Sequence, residues 1–237
     1  AFNGRVNFGN GQLALSGSSS NNSTALSNAT LSVDKGATVK VSGGAQSLDG
    51  LTLNGGTTSF NNGRVNTSKL SVTGASTIQV APLQTQTDKN LLDQNVQVSQ
   101  QLVQGSVDLS ADSIKQLTLT DLLGNVLGTG SIQAISQGGS NVATGTYNYG
   151  LSGSGGLSTV AQLVKVALTA GQVMTLDTDN SIAKTFTALI TGGGNLALNA
   201  NTETLTLNNA DNDYTGTTTI NSGSVTAGSN NARGATT

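Results

Sequence analysis

The sequence predicts an all-β chain that coils into a right-handed parallel β-helix, a β-solenoid, with protruding loops or a β-hairpin in its middle. Three observations carry the prediction. Apolar alternations recur at a near-constant interval: Leu31-Ser32-Val33, Leu51-Thr52-Leu53 and Leu70-Ser71-Val72 are 20 and 19 residues apart. Each alternation is cut off by Gly or Asn, so strands about one rung long are joined by tight turns. The composition suits narrow stacked rungs, with 31 Gly and 1 Pro in 237 residues, 9% charged and 3% aromatic. A disordered chain would carry more charge and proline, and a globular enzyme more aromatic core.

The first segment, 1–81, shows the repeat most plainly. Val39-Lys40-Val41 and Ile78-Gln79-Val80 follow the first and third leucine alternations by the same eight residues. Turn clusters such as Asp34-Lys35-Gly36, Ser42-Gly43-Gly44, Asn54-Gly55-Gly56 and Asn61-Asn62-Gly63 lie between. Residues two apart share a face of a strand, so each Leu/Val pair points inward while Ser32, Lys40, Thr52 and Gln79 point outward. An apolar face of this kind is buried only by stacking on the next rung.

Segment 82–165 breaks the rhythm. Pro82 closes a strand, and the glutamine-rich Gln84 to Gln104 reads as a short helix or, better, an elaborated turn. Strand-like pieces resume at Val107-Asp108-Leu109 and Leu117-Thr118-Leu119. Thr144 to Leu151 follows, and then a flexible Ser152-Gly153-Ser154-Gly155-Gly156. The whole segment reads as solenoid with elaborated loops rather than as a separate domain. From 166 to 237 the rungs are regular again, and Leu163 to Leu176 reads as one leucine strand.

The C-terminal motifs are the most specific: Gly192-Gly193-Gly194-Asn195-Leu196-Ala197-Leu198, then Asn212-Asp213-Tyr214-Thr215-Gly216-Thr217-Thr218-Thr219-Ile220, then Asn221-Ser222-Gly223-Ser224-Val225 and Asn231-Ala232-Arg233-Gly234. In wording and order they resemble the β-strand repeat of bacterial autotransporter passengers, although the family usually has leucine where Arg233 stands. Tyr147-Asn148-Tyr149-Gly150-Leu151 and Ala170-Gly171-Gln172-Val173-Met174-Thr175-Leu176 are similar to segments of self-associating adhesins of the AIDA type. The resemblance is strongest over 140–237 and generic over 1–80. It implies a passenger piece exported to the bacterial cell surface, whose membrane β-barrel is absent. The lack of cysteine fits passage across an outer membrane unfolded. No segment approaches the roughly 18–20 continuous apolar residues of a membrane-spanning helix.

Charge and residue types exclude most chemistry. There is no histidine and no cysteine, so zinc, Ser-His-Asp and thiol mechanisms lack their central residues. Asp177-Thr178-Asp179-Asn180 and Asp211-Asn212-Asp213 place oxygens alternately, but an EF-hand loop counted from Asp177 would need Gly and Glu where Ile182 and Ala188 stand. They read as Asx turns. Asp177, Asp179 and Glu203 are the only carboxylates to consider for a glycosidase pair, and no Trp lines a cleft. The expectation is no enzyme, no metal and no cofactor.

Net charge is −2, positive over the first third and negative thereafter. The basic set Lys35, Lys40, Arg64 and Lys69 is the one electrostatic candidate. Convergence on one face would suit an anionic glycan such as a glycosaminoglycan; otherwise it is a thinly charged surface. An acidic pI of about 4.8 and the lack of interleaved aromatics argue against nucleic acid. Three functions follow, in order. The first is a surface adhesin that self-associates between cells in aggregation and biofilm. The second is a host-directed adhesin gripping matrix protein or anionic glycan, and the third is a passive stalk.

Overall fold

Inward Leu/Val pairs have no partner within their own strand, so the strands meet their apolar need by stacking in register. The computed structural model describes residues 2–17, 23–81, 91–93, 95, 97–179, 184–230, 232 and 234. Of these 66% are strand and 4% helix, arranged as the parallel stacked coils of a β-solenoid. They divide into two compact units: Ala1–Pro82, Ser99–Gly128 and Gly150–Val160 in the first, and Leu83–Val98, Thr129–Tyr149 and Ala161–Thr237 in the second. Each unit draws on more than one of the segments 1–81, 82–165 and 166–237.

In the first unit the strands are β1 (Asn3–Phe8), β2 (Gly11–Ser16), β3 (Asn28–Asp34), β4 (Ala37–Ser47), β5 (Gly50–Asn54), β6 (Thr57–Asn66), β7 (Leu70–Gly74) and β8 (Ser76–Val80). Every pairing among them is parallel. On one side, β1, β3, β5 and β7 stack Val6 on Leu31, Leu51 and Leu70 in sequence. On the next, Leu13, Val39, Thr58 and Ile78 stack through β2, β4, β6 and β8. Leu31, Val39, Leu51 and Ile78 are at most 1% exposed, which places the core along the inside of the coil. β4 and β6 each shift register at Val41–Gly44 and Phe60–Gly63, turning the chain into a third side. Gly43 (φ 64°) and Asn62 (φ 56°) stand at that corner. Left-handed backbone is cheap for Gly and tolerable for Asn. A Cβ on Gly43 would also sit 2.3 Å from the carbonyl oxygen of Gly17.

The third side continues through β9 (Val98–Gln104), where Val103 pairs with Val65. The end of this stack is treated differently on its two sides. A short helix, α1 (Ala111–Lys115), packs beside β7, and β10 (Leu117–Asp121) stacks on β8. The Ser110 hydroxyl accepts the Ser113 N–H at 3.2 Å and caps the helix. A helix laid over an edge strand protects it from pairing with other chains.

An antiparallel hairpin, β11 (Ser131–Gln137) with β12 (Ser140–Ser152), belongs to the second unit as far as Tyr149, and the strand after it re-enters that unit at Ala161. Its two-residue loop is Gly138-Gly139, both at positive φ (56° and 81°), as a primed turn requires. β13 (Gly156–Leu168), β14 (Val173–Asp177), β15 (Lys184–Phe186), β16 (Leu189–Gly192), β17 (Asn195–Leu207) and β18 (Thr218–Ala227) follow. Met174 stacks on Leu196, Leu176 on Leu198, and Phe186 on Leu207, all fully buried or 1% exposed. β17 pairs β14 and β15 on one edge and β18 on the other.

The hairpin and the parallel coils agree with the sequence expectation, and four local readings are corrected. Leu163 to Leu176 is two strands, because Thr169–Gln172 makes a turn through Gly171 (φ 76°), with the Gln172 N–H bonded to the Thr169 carbonyl. Within the glutamine-rich stretch, 91–93 is helical, as one of the two alternatives expected, but 98–104 is strand β9, with Leu102 and Val103 fully buried; Pro82 and 83–90 lie outside the described residues. The Ser152–Gly156 link is tied down: Leu109 N–H donates to the Gly153 carbonyl and Gly155 N–H to the Asp108 carboxylate at 2.7 Å. Ser32, on the outer face, is fully buried and donates to the Asp34 carboxylate at 2.8 Å.

Candidate functional site

Parallel stacking turns each outward position into a column of like residues, and the columns differ in what their polar atoms do. In the second unit, Thr185, Thr206 and Thr226 form one column across β15, β17 and β18. Thr204 pairs with Ser224 beside it. Thr185 and Thr226 are exposed and Thr206 is half-buried. Among the described residues none of these hydroxyls has a hydrogen-bond partner. The neighbouring amide column is the opposite case. Asn199 and Asn201 donate to the two oxygens of Asp177 at 3.4 and 2.8 Å, and Asn221 donates to Asn199 at 2.9 Å. That column is closed on itself and the hydroxyl column is open to a partner.

The structure places the four predicted cations at four different points around the coil of the first unit. Lys35 is in the turn between β3 and β4, Lys40 projects from the second side, Arg64 from the third, and Lys69 precedes β7. All four are exposed. They do not share a face, because 29 residues is about one and a half turns of a coil with a 19–20-residue pitch. Lys69 is already paired: its ammonium lies 3.0 Å from both Asp49 oxygens. That contact is the first cause holding the Asp49 carboxyl below its usual range. Lys40 has no ion pair among the described residues.

Lys40 instead lies in a groove that sequence reading missed. The outward residues Gln12, Thr38 and Thr57 form one column, and Ala14, Lys40, Ser59 and Gln79 the next. With Ser42, Asn61 and an overhanging Leu122 they enclose about 580 Å³. Small residues on either side of Lys40 make the depression. Leu122 is held over it by a rigid loop after β10, where the Asp121 carboxylate accepts the Leu123 and Asn125 N–H groups at 2.8 Å and the Asn125 amide at 2.7 Å. The Asn125 amide is the main reason the Asp121 carboxyl sits below its ordinary value.

Two of the acidic stretches contain Asx turns. The Asp179 N–H donates to Asp177 and the Asp211 N–H to Asn209, both Asx turns. No group of three or more His, Cys, Asp or Glu gathers among the described residues. The conspicuous C-terminal motif is likewise built into the coil. Asn212, 3% exposed, accepts the Ile190 N–H at 2.8 Å and donates to the Ala232 carbonyl at 2.7 Å. Tyr214 is buried with its hydroxyl 2.5 Å from that of Thr218. Arg233, the departure from the repeat, lies outside the described residues. No helix among the described residues is long and apolar enough to cross a membrane.

Comparison with known proteins adds one relative. The chain is 33% identical over 262 residues to the uncharacterized protein YuaQ of Escherichia coli K12. The similarity takes in 95% of this chain and 19% of YuaQ, so the chain spans about a fifth of that protein's length. No family model and no solved structure matches.

Proposed function

We propose that this chain is part of a bacterial surface adhesin, an autotransporter-type passenger that binds copies of itself on neighbouring cells and performs no catalysis. The supporting observation is the open hydroxyl column Thr185–Thr206–Thr226 with Thr204 and Ser224 alongside. A regular column of donor–acceptor groups on a stiff sheet pairs with a second copy of itself. Each hydrogen bond contributes only about 0.5–1.5 kcal/mol, so affinity comes from repetition, and many copies on a cell add avidity. With 9% of its residues charged and a net charge of −2, repulsion between like molecules is small. The C-terminal motifs that resemble the autotransporter passenger repeat, the 147–151 and 170–176 segments that resemble self-associating adhesins, and the similarity to a bacterial protein support the setting.

The test is display of this chain on a non-aggregating bacterium, followed by the rate at which suspended cells settle. Cells carrying the chain should clump, and the triple variant Thr185→Lys, Thr206→Lys, Thr226→Lys should return them to slow settling. Equal clumping by the triple variant would remove the hydroxyl column from the reading. Absence of clumping by the parent would leave the passive-stalk function as the better account.

A further inference from the structure

We propose that the groove around Lys40 in the first unit is a saccharide-binding site for an unsulfated acidic glycan, with the Lys40 ammonium pairing a single uronate carboxylate. The site is separate from the hydroxyl column of the second unit, so either can fail without the other.

Four features of the groove select this ligand. Its walls carry hydroxyls and amides (Gln12, Thr38, Thr57 and Gln79) that can each donate and accept, as the hydroxyls of a sugar do. None of these side chains has a hydrogen-bond partner among the described residues. Four strands line it, β2, β4, β6 and β8; at about 4.8 Å between strands this gives a track of roughly 14 Å, long enough for several sugar rings. Leu122, 40% exposed, offers an apolar contact to the C–H face of a ring.

The fourth feature is the charge. One ammonium sits in the groove with no carboxylate bonded to it, while Lys35, Arg64 and Lys69 lie on other parts of the coil and Lys69 is paired with Asp49. A densely sulfated chain needs several cations within reach of one another, and this face provides one. A glycan with one carboxylate in every two sugars presents about one anion to a track of this length, which one ammonium can pair. The floor is preorganised sheet and the overhang is fixed by Asp121, so little ordering opposes binding.

The experiment is a titration of the isotope-labelled 237-residue chain, followed by NMR, with two probes. One is an unsulfated oligosaccharide bearing a glucuronate in every second sugar, and the other is a heparin fragment of the same length. The unsulfated probe should shift the amides of Thr38, Lys40, Thr57, Ser59 and Gln79. Lys40→Ala should weaken it about tenfold or more, and Lys40→Arg should restore most of the affinity. Lys35→Ala and Arg64→Ala should leave it within about twofold, and Leu122→Ala should weaken it several-fold. Lys40 is exposed, so an unchanged circular dichroism spectrum is expected for its variants.

Three results would overturn the proposal. They are no shifts in the groove with the unsulfated probe, affinity unaffected by Lys40→Ala, and a preference for heparin that falls equally with loss of each of the four cations. The last would mean diffuse electrostatic attraction.

Discussion

The two units close their corners with different chemistry. The first has a pitch of 19–20 residues and pins its corners with hydroxyls. Thr67 donates to the Asp49 carbonyl and accepts the Lys69 N–H, and Ser76 accepts the Gly55 N–H. The second has a pitch near 22 residues and adds side-chain amides to hydroxyl pins such as Thr178, which donates to the Ala200 carbonyl at 2.8 Å. Asn95 accepts the N–H groups of Thr187 and Ala188 and donates to the Thr185 carbonyl. Asn212 bridges Ile190 and Ala232. Gln137 of the hairpin makes a bidentate pair with the backbone of Thr175, at 2.8 Å in both directions, standing in for a neighbouring strand. A longer rung leaves its corner backbone groups farther apart, and an amide, whose donor and acceptor are separate atoms on a longer side chain, spans groups that a single hydroxyl oxygen does not.

The largest effect comes from removing an amide. Asn95→Ala leaves two N–H groups and a carbonyl without their partner, and at about 1–3 kcal/mol for each such group it should destabilise the chain by at least roughly 3 kcal/mol. Asn212→Ala should cost a similar amount. Urea unfolding measures both, and a loss below about 1 kcal/mol for either would place the corner's stability elsewhere. Thr67→Ala, which leaves the Asp49 carbonyl and the Lys69 N–H without that partner, should cost about 2 kcal/mol in the same assay.

The corner residues themselves give a contrast of sign. Asn62, Asp179 and Asn201 are the non-glycine residues with positive φ among those described. Asn62 is exposed, so Asn62→Gly should stabilise by about a few tenths of a kcal/mol by relieving left-handed strain. Asn201→Gly removes the amide bonded to Asp177 and should destabilise. The same sign for both would show that backbone strain, not the amide column, governs these corners.

Two smaller effects concern charge. Lys69 and Asp49 are largely exposed, so Lys69→Ala should change stability by less than about 1 kcal/mol and less still at high salt. The lowered carboxyls of Asp34, Asp49 and Asp121 contribute stability above the unfolded carboxylate value of about 4 that is lost as pH falls through their depressed folded values. Protection of the Leu123 and Asn125 amides, their exchange measured against the intrinsic rate at each pH, should therefore fall only below about pH 4. A loss of protection between pH 5 and 7 would show that Asp121 does not hold that loop.

Much of the coil was legible in the residues, because Leu31, Leu51 and Leu70 repeat at the strand-stacking pitch and turn residues punctuate them. The hairpin was legible only as a break in rhythm. Its Gly138-Gly139 turn is the local signal that locates it. Misreadings arose where local pattern was silent about the third dimension. The leucine strand ends at Thr169 because Gly171 turns there, and Ser32 is outward by alternation yet covered by its neighbours. The groove was hidden because residues 12, 38, 57 and 79 meet only through register. The step from Leu13 to its partner Val39 exceeds the 19–20-residue pitch, so counting by the repeat misses it. The 29-residue spacing of the cations was readable, and the corner at Gly43 and Asn62 shows why it separates them.

The most direct test of the central claim, association through an open hydroxyl column, is sedimentation equilibrium of the chain from micromolar to near-millimolar concentration at low and physiological salt. The account predicts reversible association that persists at physiological salt, because the contacts are uncharged, and that is lost in the Thr185, Thr206 and Thr226 triple-lysine variant. A strict monomer across that range, or association that disappears with salt, would contradict it.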